Sequence, residues 1–222
     1  MGRISEKIVL KFGMLALLGC SAEEVETVPQ TPAGFGSAWA EFLGPDEIAA
    51  ILPVLRSHSV AVNVAWPAAD VASPERLSLV EAGHALGVEV RPWLLLDDAD
   101  GYWPGSTNAT TFAEAASELM NVWEARDLPP MTLVVDMELR KDRADELSVL
   151  LASDLPAAVK FLKEGVDAAM YESASTTYRD LVTLAHDRGH RVHLTTLPQV
   201  IDDYADGDDG VRQAFGIPVD GI

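Results

Sequence analysis

Positive charge is scarce in this sequence. Of 222 residues, 16 are Lys or Arg against 35 Asp or Glu, a formal net charge of −19. A surface this acidic repels nucleic acid and anionic lipid and favours neutral or cationic partners. Cysteine is nearly absent: Cys20 stands alone, so no disulfide can form within the chain. No stretch approaches the roughly 20 apolar residues of a membrane-spanning helix. Glycine is missing from the strand-to-helix turns at Trp66-Pro67, Leu96-Asp97 and Glu138-Leu139, so none of them cradles phosphate. No serine occupies a nucleophile elbow. None of the five histidines has metal-ligand spacing beside a third ligand. His186 and His190 stand four apart, but Asp187 follows His186 where a zinc protease places Glu. We therefore expect no cofactor and no metal.

What is present begins at the N-terminus. Arg3 and Lys7 form a short positive region, and an apolar run follows from Phe12 to Leu18. Its length and flanks predict a secretory signal. The run ends in Leu17-Leu18-Gly19-Cys20, which resembles the lipobox of bacterial lipoproteins. That resemblance implies cleavage before Cys20 and a lipid on its thiol, since the thiol is the side chain that can form a thioether to diacylglycerol. Several acyl chains give stable anchoring where one does not. Ser21 in place of Asp implies the outer membrane by the same resemblance. The expected organisation is a signal peptide over 1–19, a lipidated cysteine with an acidic, proline-bearing tether over 20–33, and one domain over 34–222. The anchor would be the chain's contact with the membrane.

Residues 34–222 alternate strand and helix. The patterns predict strands over 35–42, 60–66, 88–96, 131–138 and 191–197, with helices over 45–57, 73–87 and 108–126. Further helical segments fill 142–188, with breaks expected near Asp154-Leu155-Pro156 and Glu172-Ser173, and a short helix is expected near 211–215. Strict alternation argues for a parallel sheet with helices outside, either a doubly wound open sheet or a (βα)8 barrel. The missing phosphate turns weigh against the first. Trp, Asp and Glu at strand ends favour the second, because a barrel places its chemistry there. Five units are not eight, and a barrel typically needs about 250 residues. The expectation is an incomplete (βα)8 TIM-type barrel, cut short at its C-terminus near a sixth strand.

The sharpest chemical feature is Leu133-Val134-Val135-Asp136-Met137-Glu138. Residues two apart on a strand share a face, so Asp136 and Glu138 project together. A neighbouring anion disfavours ionisation of a carboxyl, so one of the pair can hold a proton while the other orients it or stabilises positive charge. This is the division of labour in glycosidic cleavage. Asp-x-Glu ending the fourth strand of a barrel is similar to the chitinase-type endoglycosidases and, more loosely, the barrel-like muramidases. The chitinase pattern carries further Asp residues two and four positions before the pair, where this chain has Val134 and Thr132. The resemblance implies Glu138 as proton donor, Asp136 as its partner, and a carbohydrate or cell-wall glycan as substrate. The alternatives are a non-catalytic carbohydrate- or peptidoglycan-binding lipoprotein on a degenerate barrel, and a metal-dependent barrel using Asp97, Asp98, Asp136 and Glu138.

Trp66, Trp93, Tyr102 and Trp103 concentrate rings near predicted strand ends, where they can stack on sugar faces, and Asp98 and Asp100 can accept from hydroxyls. His193 lies on the fifth predicted strand and could join Glu138 at the mouth. Asp98-x-Asp100-Gly101 departs from a calcium loop at Leu96 and Thr107, and Asp202 to Gly210 lacks the final Glu. Both are read as solvated acidic loops.

Overall fold

The computed structural model describes residues 36–164, 167–196 and 216–221. The signal segment, Cys20, the tether and the expected helix at 211–215 lie outside the described residues. Among these residues no helix is long and apolar enough to cross a membrane.

Five strands form one parallel sheet: β1 Ser37–Ala40, β2 Ala61–Pro67, β3 Val90–Leu95, β4 Thr132–Met137 and β5 Arg191–Thr196. They lie in the order β1-β2-β3-β4-β5 and curl into a half-barrel. A doubly wound sheet reverses its strand order at a switch point. This sheet has no reversal, and each strand pairs with its sequence neighbours. Residues 217–221 then run beside β5. Leu194 N donates to Gly221 O and Asp220 N to Val192 O, and Gly221 bridges His193 in parallel.

Among the described residues six α-helices accompany the sheet: α1 Pro45–Ser57, α2 Pro74–Leu86, α3 Ala109–Ala125, α4 Lys141–Ser153, α5 Leu155–Glu164 and α6 Ala168–Asp187. The main core lies between the sheet and α1, α2, α3 and α6. The strands supply Val62, Val64 and Trp66 from β2, Val90 and Leu94 from β3, Leu133, Val135 and Met137 from β4, and Val192 and Leu194 from β5. The helices answer with Ile48, Leu52, Leu77, Phe112, Leu119 and Tyr178, among others. Gly83 of α2 sits so close to β3 that a Cβ there would lie 2.5 Å from Val90 Cγ2. A glycine at that position lets helix and sheet close on each other.

The alternate residues face the concave side and form a second, smaller cluster. Trp93, Leu95 and Val134 are its buried members, with Trp39, Ala65, Tyr102 and Trp103 packed against them. The two-residue period of each strand therefore separates a helix-facing core from a concave face that holds the mixed polar and aromatic residues.

One sequence expectation is corrected. The second helical break is not at Glu172-Ser173, which lie inside α6. The helix starts at Ala168, where the Asp167 carboxylate accepts from Met170 N. Hydroxyls of Thr176 and Thr177 bond back to the carbonyls of Glu172 and Ser173, so a polar run that reads as a turn continues as helix. The helices between β4 and β5 differ in their packing. α6 packs on α3 and β5, whereas α4 contributes no buried residue and packs against α5. That helical pair is an excursion leaving the end of β4 directly after Glu138.

Candidate functional site

The chain leaves every strand of a parallel half-barrel at the same end, and side chains there come from five different segments. From β4, Asp136 faces the concave side on the same parity as Val134 and is 5 % exposed. Glu138, two residues on, is half-buried just past the strand. Strand parity puts Asp136 on the concave face, and Glu138 lies one residue beyond the end of β4. Register places Thr195 of β5 beside Asp136.

The loop after β3 lies over this end, and its backbone is tightly specified. A 3₁₀ turn at Asp98–Asp100 ends at Gly101, with φ +105°, and Tyr102 follows with φ 65°. Positive φ is uncommon for a bulky side chain and requires outside support. The support is visible: Tyr102 O accepts from Leu96 N at 2.9 Å and Tyr102 N donates to Asp97 O at 3.2 Å. Asn108 holds the rest of the loop. Its Nδ2 donates to the carbonyls of Asp100 and Trp103, and its Oδ1 accepts from Gly105 N. The Tyr178 hydroxyl of α6 reaches across to Gly105 O at 2.9 Å.

This loop delivers the Tyr102 ring to the mouth. Its hydroxyl donates to Glu41 Oε1 at 3.1 Å, and Trp103 packs edge-on against it at 5.0 Å. Lys141, at the start of α4, binds Asp98 Oδ2 at 2.7 Å and holds its ammonium 5.5 Å from the Tyr102 ring centre. Burial first, then the carboxylates of Glu41, Asp98 and Asp136, push the Tyr102 hydroxyl well above the ordinary phenol range. Three carboxylates from three segments thus bear on one phenol that stays protonated. Behind Tyr102 and Trp103, Trp93 meets Trp39 edge-to-face at 4.8 Å.

The concave face changes character toward the start of the strands. Glu89 takes hydrogen bonds from Arg91 at 2.6 Å, Thr132 at 2.6 Å and Arg191 at 3.0 Å. Burial pushes the Glu89 carboxyl up, but the bonds from Arg91 and Thr132 with the two guanidinium charges outweigh it, and the net direction is down. His193 belongs to this region. It pairs in register with Val134, one layer below Asp136, and burial followed by the Arg91 charge lowers its pKa.

The structure therefore brings Asp98, Tyr102, Trp103 and Asp136 together with Glu41 and Lys141, with Trp93 beneath the two rings and Glu138 at the adjoining end of β4. It does not bring Trp66, Asp100 or His193 into that group. Trp66 is 0 % exposed, packs against Trp123 on the helix side, and donates its indole N–H to Val71 O. The side chain of Asp100 is exposed in its turn. Glu41, Trp39 and Lys141 were missed. Trp39 lies on the concave parity of β1 and Glu41 follows one residue past the strand's end at the same spacing, the one signal that could have found them. Asp97, Asp98, Asp136 and Glu138 do not form a metal-holding group, and among the described residues no cluster of three His, Cys, Asp or Glu does.

Comparison with family models, with curated proteins and with solved structures finds no match for this chain.

Proposed function

We propose that this chain is a glycosidase-like hydrolase on a (βα)8 TIM-type barrel, secreted as a lipoprotein and held to the membrane through Cys20. Glu138 is the proton donor to the glycosidic oxygen, and Asp136 orients it and stabilises the positive charge that develops on the sugar ring. The observation that carries this reading is the pairing of two carboxylates at the end of β4 with aromatic rings from the adjoining loop. Asp136 is buried on the concave face, Glu138 is half-buried two residues further along the chain, and Tyr102 and Trp103 stand over the same strand ends. Rings supply stacking faces for sugars, carboxylates supply proton transfer, and the sequential parallel sheet supplies the scaffold.

A second reading is favoured by a specific feature of the mouth. Two of its carboxylates are already engaged, Glu41 by Tyr102 and Asp98 by Lys141. A mouth in which two carboxylates already hold protein partners suits a glycan-binding lipoprotein without turnover.

The test is reducing-end release from a panel of glycans, comparing the full chain with Glu138→Gln. Loss of a general acid lowers turnover by at least about 100-fold with melting unchanged. Glycan binding that survives Glu138→Gln, with no turnover in either protein, selects the binding reading. Neither turnover nor binding on the panel overturns both.

A further inference from the structure

We infer that Asn108 and Tyr178 are positioning residues that hold Glu138 and the ring-bearing loop after β3 as one unit. This rests on the reading of Glu138 as proton donor above, and it identifies what fixes that residue in place.

Glu138 needs such a hold because its strand no longer supplies one. The register of β4 with β5 ends at Met137 and Thr196, and Thr196 Oγ1 donates to Met137 O at 3.0 Å. Glu138 stands one residue further on, outside the ladder. A general acid misplaced by about 1 Å can lose about 100-fold in rate, so something else must fix it. The loop after β3 lies against this stretch at both ends. A Cβ built on Gly105 would lie 3.5 Å from the Glu138 carbonyl oxygen, and one built on Gly101 would lie 3.0 Å from Arg140 Cγ. Lys141 N donates to Gly101 O at 3.2 Å. Residues 138–141 therefore rest on residues 101–105.

Two buried side chains hold that loop in turn. Asn108 occupies the N-cap of α3, where an asparagine ordinarily bonds the first-turn amides of its own helix. It makes no such bond. Its Nδ2 donates instead to the carbonyls of Asp100 and Trp103, at 2.8 and 2.9 Å, and its Oδ1 accepts from Gly105 N at 2.8 Å. Both amide donors and the acceptor thus serve the loop and not the helix. Tyr178 completes the hold from α6, where its hydroxyl donates to Gly105 O at 2.9 Å. Gly105 is bonded through both its N–H and its carbonyl, and it is the residue that lies against the Glu138 backbone. Asn108 and Tyr178 are 6 % and 1 % exposed, so water does not readily replace a bond that either one loses. The same hold carries Tyr102 and Trp103, so acid and rings keep one spacing.

The experiment follows amide hydrogen exchange in the full chain and in two conservative variants, Tyr178→Phe and Asn108→Asp. The first removes one hydroxyl, and the second keeps the acceptor for Gly105 N while losing the two donors. Each is expected to speed exchange about fivefold in residues 101–105 and in residues 138–141 together, with α1 and β2 unchanged. Faster exchange in the loop alone, in neither stretch, or uniformly along the chain overturns the inference. The second readout is turnover on the glycan panel. Tyr178→Phe is expected to lower kcat about tenfold with KM little changed, and to leave the residual rate of Glu138→Gln as it is, because displacing an acid no longer matters once the acid is gone. An equal loss in both backgrounds marks a purely structural role and overturns the inference while the hydrolase reading stands. If the unsubstituted protein turns over no glycan, the hydrolase reading falls, and coupled exchange of the two stretches by itself decides whether Asn108 and Tyr178 position Glu138.

Discussion

The Tyr102 hydroxyl donates to Glu41 Oε1 at 3.1 Å, tying the loop after β3 to the end of β1 across 61 positions of sequence. The bond keeps a phenol protonated beside a carboxylate. Burial, followed by the Glu41 charge, raises the folded-state pKa of Tyr102 above its unfolded value near 10. The contribution to stability is therefore fully present below about pH 10 and is lost as pH rises toward the folded value. Melting temperature should fall above about pH 10, and Tyr102→Phe should make that fall shallower. Tyr178, pushed up by burial alone, supplies the part of the fall that remains in Tyr102→Phe. An unchanged alkaline slope in the Tyr102 variant would show that the bond to Glu41 does not persist in solution.

Trp66 and Trp103 should separate stability from recognition. Trp66 is packed between the sheet and α3, with its N–H satisfied by Val71. Trp66→Phe leaves a void and an unpaired carbonyl, at a cost of about 1–3 kcal/mol, and leaves glycan affinity unchanged. Trp103→Ala should do the reverse, with little change in melting and a clear loss of affinity. Denaturant melts and glycan titrations on the two variants check this. Equal effects on affinity would place Trp66 in the recognition surface.

His190 governs part of the acid limb. Met131 N donates to its Nδ1 at 3.2 Å, which requires that nitrogen to be unprotonated. Burial lowers its pKa, and the nearby Glu124 carboxylate, 3.6 Å from Nε2, only partly offsets this. The neutral form is favoured in the folded state, while the unfolded chain gains a proton near pH 6.5. Stability present above about pH 6.5 is therefore lost as pH falls through the depressed folded value. Melting temperature should drop between pH 7 and 5, and His190→Gln should flatten the drop, because an amide oxygen accepts from Met131 without titrating. His193, also lowered, contributes to the same window. A drop of equal steepness in His190→Gln would remove His190 from this role.

Much of the scaffold was legible because the periods of strand and helix differ. The alternation of Val62, Val64 and Trp66 with Asn63 and Ala65 already separates the two faces of β2, and it places Trp66 with the valines. Reading Trp66 as a mouth residue weighed its nearness to the strand end over its parity. Glu41 was harder to find. β1 has only four residues, Ser37–Ala40, too few for alternation to stand out, and its partner Tyr102 is reached through a left-handed backbone that sequence does not announce. Lys141 becomes part of the mouth only because α4 begins three residues after Glu138 and turns back over the loop, where Lys141 N donates to Gly101 O at 3.2 Å. The concave placement of Asp136 needed nothing beyond strand parity, whereas Glu138 lies past the end of β4, where parity no longer applies.

The most direct measurement is a crystal structure of Glu138→Gln grown with a glycan oligomer. A sugar ring stacked on Tyr102 or Trp103, with a glycosidic oxygen about 3 Å from the amide of residue 138, is the expected result. A sugar seated elsewhere, for example in the cleft between α3 and α6 lined by Thr110, Ser173 and Thr177, would contradict the assignment of the strand-end mouth as the site.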